Sequence, residues 1–316
     1  MVIRAYISLL TRWANLFLGR SYYHVAQPIG KHFNGHQLSG YYNDLTEKAN
    51  WKGESDEKGI PINVLTNRKK VYFPITIAQM ALGAYDLWLQ SGESKNKSKF
   101  VELADWLKRN QDEEGGWNNP WNYLRPSCVS NYSAMAQGEA ISVLVRAFVL
   151  TDQTPYLDSA KRAFHLLVKP VEEGGCSLYI NDGVYLEEYP EMPRSTVLNG
   201  WIYAVFGLYD LMLLTKDKLA QNILAKTLKT LENSLISYDS GYWTYYDLYG
   251  NIASPSYHSV HIVLLDALYI ITGIDNFRNF SNRWKNYEKN FLNRSKALAI
   301  KGWQKLRKPA KVMILR

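Results

Sequence analysis

Two short stretches hold residues able to trade protons. "YLEEYPEMP", residues 185–193, sets Glu187, Glu188 and Tyr189 side by side and stiffens the run with Pro190 and Pro193. "TYYDLYGNIASPSYHSVH", residues 244–261, carries Tyr246, Tyr257, His258 and His261. Carboxyl and phenol groups act as general acids and bases when burial and neighbours tune their pKa values. Such chemistry tolerates little misplacement, which gives the two prolines a purpose. His258 and His261 are three apart and share a helix face. A zinc site uses such pairs, but no third ligand is evident. The plainer reading of the tyrosines is packing at a helix end.

The first stretch extends a hairpin signal. In "GGCSLYINDGVYLEEYP", Asn181-Asp182-Gly183 is a turn between two alternating runs. Leu178, Ile180, Val184 and Leu186 mark an apolar face, and Glu188 falls on the same parity. Pro190 favours extended backbone at Tyr189, so the alternation is expected to persist, with Glu188 more buried than Glu187. A carboxylate on the apolar side is either a paired structural acid or a functional group with a raised pKa.

Something must hold these stretches together. Four apolar helical runs end alike, in "ALGAYDLWLQSG", "VRAFVLTD", "GLYDLMLLTKD" and "DALYIITGID". Aligned on Tyr85, Phe148, Tyr209 and Tyr269 they step by 63, 61 and 60 residues. Each is followed by a two-faced helical stretch, and three of the pairs by a glycine turn: "EEGGW", "EEGGC" and "DSGYW". First helices are apolar nearly all round and second helices on one side, which predicts an inner and an outer layer. The expected fold is mainly α: an incomplete (α/α) toroid of four helical hairpins, with a right-handed solenoid as the alternative. Loops entering the inner helices would share one mouth holding "SNYSAMAQGEA", "YLEEYPEMPRSTVLNG" and "GNIASPSYHSVH". The organisation reads as residues 1–70, an amphipathic helix and a small β element; 71–292, the toroid; and 293–316, a basic tail.

Composition sets the outer bounds. The chain has 316 residues, 47% hydrophobic and 21% charged, which is globular and long enough for a large core. Aromatics reach 14%, suited to sugar rings or to a helical core. Net charge is +8, an attraction for polyanions, much of it in the last stretch. No apolar run is expected to reach the length of a membrane span. The N-terminus is not a secretory signal; residues 2–18 form an amphipathic stripe that either packs on the domain or rests on a membrane surface. Cys128 and Cys176 lack metal or redox spacing, so a cytoplasmic protein is expected, with peripheral membrane association as the second possibility. No phosphate loop, dinucleotide fingerprint or nucleic-acid motif is present, and neither cofactor nor metal is implied.

The chain resembles the D-glucuronyl C5-epimerases of heparan sulfate and heparosan biosynthesis. The resemblance rests on "FPITIAQMALGAYD", "YSAMAQGEAISVLVRAFVLT", "EEYPEMPRSTVLNGWIYAVFGLYDL", "YDSGYWTYYDL" and "YHSVHI", in family order across roughly residues 72 to 291. The family's large N-terminal region has at most a shortened counterpart in the β element. The resemblance implies an α-toroid beside β structure and conversion of D-glucuronate to L-iduronate in a heparosan-like polymer or lipid-linked glycan. It implies proton transfer by Glu188 or Tyr189 on one face of the sugar and Tyr257 on the other, with Tyr246 also important. Tyr132, Gln137, Asn199, His258 and His261 match family motifs and are substrate-binding candidates. Tyr249 stands where vertebrate members have arginine, and Arg125 and Arg194 are the replacements suited to a carboxylate. A homodimer is compatible with all of this. Three other functions compete: a polysaccharide lyase, which removes the same proton and then expels the C4 substituent; a hydrolase, which needs a second carboxylate; and a non-catalytic glycan-binding module.

Overall fold

A computed structural model describes residues 25–307 and residue 314. The expected amphipathic helix at residues 2–18 lies outside the described residues. Four helical hairpins dominate: α1 (Pro74–Ser91) with α2 (Ser94–Arg109), α3 (Ala134–Thr151) with α4 (Thr154–Val168), α5 (Leu198–Thr215) with α6 (Lys218–Ser234), and α7 (Pro255–Thr272) with α8 (Asp275–Lys289). The first helix of each pair has 18 residues and stops at a left-handed residue: Gly92, Asp152, Lys216 or Gly273. That conformation ends the hydrogen-bond ladder, which accounts for the shared sequence endings. Ser133 and Ser254 cap α3 and α7 through the amides of Ala136 and Tyr257.

The first helices of the four pairs form the inner layer and are buried nearly all round, while the second helices bury one face. Neighbouring inner helices pack α1 on α3, α3 on α5 and α5 on α7. A Cβ at Gly138 would stand 2.4 Å from Ala204 Cα, so glycine there permits the close approach of α3 and α5. No comparable packing joins α7 to α1 among the described residues, so the toroid is incomplete. Residues 25–50 fill the inside of the arc. Tyr42 stacks on Phe206 at 3.8 Å and donates to Asp210 at 2.8 Å. Asp210 also receives the buried Arg146 guanidinium at 2.6 Å, and the Tyr209 hydroxyl donates to the Gly35 carbonyl at 2.6 Å.

The small β element is a three-stranded antiparallel sheet of β1 (Glu54–Ser55), β2 (Pro61–Val64) and β3 (Lys70–Val71). A hairpin of β4 (Ser177–Ile180) and β5 (Gly183–Leu186) precedes α5, with Leu178 opposite Tyr185.

Two features differ from the sequence expectations. Of the stretch expected as a basic tail, residues 293–307 are helical: α9 (Phe291–Arg307) buries Ala297, Leu298 and Gly302. In addition, α3 and α5 are long and apolar enough for a membrane span by length and composition alone, but 78% of each is buried within the protein. Their apolar surface serves the inner layer.

Candidate active site

The loops that enter α3, α5 and α7 meet in one cleft of about 1470 Å³. Backbone bonds stitch them together. Ala134 N donates to Glu187 O at 2.9 Å, Val129 N to Pro190 O at 2.7 Å, Leu198 N to Tyr246 O at 3.1 Å and Leu248 N to Ser195 O at 2.8 Å. These bonds tie the residues after the hairpin to the 119–133 loop and to the 239–254 loop.

Glu188, Tyr189, Tyr246, Tyr257, Arg125 and Asn199 all line this cleft. Glu188 is 4% exposed, and its Oε2 has no hydrogen-bond partner among the described residues. Burial pushes its pKa up to about 7, against the opposing pull of a hydrogen bond with Tyr189 and of the Arg125 guanidinium. Gly200, in the first turn of α5, makes room for it, since a Cβ there would stand 2.4 Å from Glu188 Oε2. The positive end of the α5 dipole favours the ionised acid once formed. The phenols of Tyr189, Tyr246 and Tyr257 line the cleft together and influence one another's acidity. The Tyr246 and Tyr257 rings meet edge to face at 4.9 Å. Burial, followed by the Glu188 charge, raises the phenols of Tyr189, Tyr246 and Tyr257, so they stand protonated at neutral pH. Arg125 lies over the Tyr189 ring at 4.1 Å and 3.9 Å from Glu191. The arrangement offers one acid near neutrality, a run of neutral phenols and a fixed cation.

Five of the expected residues do not line this cleft. Gln137 is fully buried and donates to the carbonyls of Gly115 and Ala163, both at 3.0 Å, so it ties α3 to its outer neighbours. Tyr132 gives its hydroxyl to Asp112 at 2.9 Å and packs beside Gly116. Arg194 lies over the Tyr185 ring at 3.9 Å. His258 stacks on Trp243 at 3.7 Å, with Nδ1 2.9 Å from Thr244 Oγ1 and Nε2 3.1 Å from the Trp284 carbonyl. His261 Nδ1 meets the same threonine at 3.2 Å. Both histidines are fully buried, and burial pulls their pKa values down to about 3, so they are neutral core residues. Among the described residues no group of three His, Cys, Asp or Glu stands where a metal could bind.

The parity expectation for the two glutamates also fails. β5 ends at Leu186 and the chain bends at Glu188 and Tyr189, so the alternation stops and both acids are buried. Glu187 turns to Thr196, accepting from its backbone N–H at 3.0 Å and from its hydroxyl. Burial raises its pKa to about 7 as well.

Some cleft residues were not singled out from the sequence. Glu191, in the opening motif itself, accepts from Ser127 Oγ at 2.5 Å. Gln79 donates to Glu139 at 2.9 Å, and burial raises that acid to about 8. Lys301 enters from α9. An acid three and four residues after two others was a usable signal for Glu191; nothing local marked Lys301.

Fold and cleft together define a class: an incomplete α/α toroid whose inner-helix loops gather a carboxylate and several phenols around an open groove. Within that class the chain belongs to the D-glucuronyl C5-epimerase family, whose C-terminal model matches residues 111–286. A D-glucuronyl C5-epimerase of Caenorhabditis elegans is 35% identical over 215 residues, 60% of this chain and 34% of that protein. An uncharacterized protein of Methanocaldococcus jannaschii is 30% identical over 195 residues, 59% of this chain and 63% of that one. The chain thus spans about a third of the first relative's length and under two thirds of the second's. Among solved structures, an unsaturated glucuronyl hydrolase from Bacillus sp. GL1 aligns with a TM-score of 0.44 at 15% identity, covering 71% of this chain and 61% of that one. A cellobiose 2-epimerase from Spirochaeta thermophila aligns with a TM-score of 0.47 at 13% identity, covering 66% and 57%.

Proposed function

We propose that this cleft inverts C5 of D-glucuronate residues in an anionic glycan, giving L-iduronate. The observation that carries the reading is the convergence of Glu188, Tyr189, Tyr246 and Tyr257 beside Arg125 in one cleft. The C5 hydrogen of a uronate lies α to the carboxylate, so its removal leaves negative charge spread onto the carboxylate oxygens. A nearby cation stabilises that charge, and Arg125 supplies one. Inversion requires a proton to leave one face and another to arrive at the opposite face.

The tuned acidities divide these roles. Glu188, with a pKa of about 7, is partly ionised at neutral pH and takes the proton. Tyr257, whose pKa is raised by burial, holds its proton and delivers it to the other face. Tyr189 and Tyr246 line the cleft beside these two groups and return the proton from Glu188 to Tyr257 after each turnover. The cleft volume exceeds the upper range for small-ligand pockets, roughly 1,000 Å³, which supports an oligomeric or polymeric substrate.

The test is incubation with uronate polymers, heparosan first, in heavy water. Deuterium should appear at C5 together with iduronate signals in the NMR spectrum. Formation of an ultraviolet-absorbing unsaturated uronate would assign the cleft to a lyase instead. Neither exchange nor cleavage on any uronate polymer would remove the proposal.

A further inference from the structure

We propose that Lys301 is a substrate-binding residue of this cleft, its ammonium taking the carboxylate of a uronate in the bound glycan. The inference rests on the epimerase reading for its substrate class and deepens it by naming a second cation. Lys301 comes from α9, beyond the residues 111–286 that match the family model. It lines the cleft together with Gln304, one helical turn further on and on the same face.

That helix is fixed to the catalytic loop. Gln304 Oε1 accepts from Ile252 N at 2.9 Å, and its Nε2 donates to Gly250 O at 3.0 Å. Ala297 packs in a cluster with Trp243, Ile252 and Ala253 that Tyr246 and Tyr257 flank. The Lys301 ammonium consequently sits 5.8 Å from the centre of the Tyr246 ring. It has no hydrogen-bond or ion-pair partner among the described residues. The acid nearest to hand, Asp247, already accepts from Asn251 Nδ2 at 2.8 Å, Asn251 N at 3.2 Å and Tyr249 N at 3.1 Å. Burial, then the charges of Lys305 and Arg125, lower the Lys301 pKa to about 8, although Asp247 pulls the other way. A part-buried ammonium held beside phenols, with its neighbouring acid already engaged, is completed by an anion that arrives with the ligand. Arg125 faces the same space from the loop before α3, so a uronate glycan meets a cation from each of two elements.

The experiment is a binding cycle on the full chain. Lys301→Met and wild type are each titrated with a uronate polymer and with the same polymer after its carboxyl groups have been reduced to alcohols. Wild type should bind the native polymer roughly ten- to a hundredfold more tightly than Lys301→Met does. On the reduced polymer the two proteins should bind within about twofold of each other. Equal losses on both polymers, or no loss on either, would overturn the assignment, as would a wild type indifferent to carboxyl reduction. Lys301→Arg should retain most of the affinity, and it replaces the methionine variant if that one unfolds. Binding is read without turnover, so the cycle stands apart from the C5 exchange assay. A protein that binds through Lys301 but exchanges no C5 hydrogen would refute the epimerase reading alone.

Discussion

Tyr257 and His258 are neighbours in the first turn of α7, yet they belong to different regions of the molecule. Tyr257 lines the cleft, its ring edge to face with Tyr246 at 4.9 Å and its phenol raised by burial and then by the Glu188 charge. His258 is buried in the interior, among Trp243, Thr244 and the Trp284 carbonyl. The same split separates Glu188, which lines the cleft and whose buried Oε2 has no hydrogen-bond partner among the described residues, from Glu187, whose two oxygens are both held by Thr196. Burial raises both acids to about 7, so a shifted pKa does not distinguish a working group from a structural one here. The difference lies in the surroundings: Glu188 and Tyr257 line the cleft, whereas Glu187 and His258 are held by partners in the protein interior.

The comparison can be broken most sharply at Tyr257. Tyr257→Phe keeps the ring and removes the proton-carrying atom, so C5 inversion should fall by about a hundred- to ten-thousandfold with glycan binding retained. Exchange at C5 without inversion should survive, because the Glu188 face can still remove and return a proton. Inversion within a few-fold of wild type would take Tyr257 out of the mechanism.

Glu188→Gln should lower the rate by a similar or slightly smaller factor and change its pH dependence. The wild-type rate should rise with pH as Glu188 ionises through about 7, and the variant should lack that limb. A glutamine variant that keeps the limb would point to another base.

On the interior side the effects should appear in stability. His258→Ala leaves a hole beside Trp243 and should cost about 2–4 kcal/mol in denaturant unfolding, with turnover per folded molecule within about threefold of wild type. The histidine also has a pH signature. Its folded pKa of about 3 lies below its ordinary 6.5, so stability is full above 6.5 and is lost as pH falls toward 3. A His258 variant with normal stability and no turnover would place the histidine in the chemistry.

Glu187 runs in the opposite sense. Its folded pKa of about 7 lies above the ordinary 4.5, so the folded chain holds a proton that the unfolded chain releases between those values. Stability is greatest below 4.5 and declines as pH rises through 7, by roughly 3–4 kcal/mol. Glu187→Gln should remove that slope from unfolding curves measured across the window while leaving the C5 exchange limb in place. The smallest effect is expected at Tyr249, half exposed, whose hydroxyl donates to the Pro193 carbonyl. Tyr249→Phe should change stability by less than about 1 kcal/mol, as read from the unfolding midpoint.

Most of the architecture was legible along the chain. The four repeated helix endings, at steps near 60 residues, reflect a left-handed residue that must end each inner helix. The near-continuous apolarity of those helices reflects burial on all sides, and Asn181-Asp182-Gly183 specified its hairpin through local turn chemistry alone. These are properties of a residue and its near neighbours, and so they were readable without coordinates. Which face each polar residue turned to was decided by the tertiary structure. Alternation could not reach Glu188, because the hairpin ends at Leu186 when the chain leaves its partner strand for the start of α5. Gln137, Tyr132, His258 and His261 carry motif identity, but each found a protein partner brought by a distant loop or helix. Lys301 reached the cleft because α9 folds back and Gln304 fastens it to the Tyr246 loop. Hydrogen bonding and desolvation are settled by whatever lies across the gap, and that neighbour is supplied by the fold.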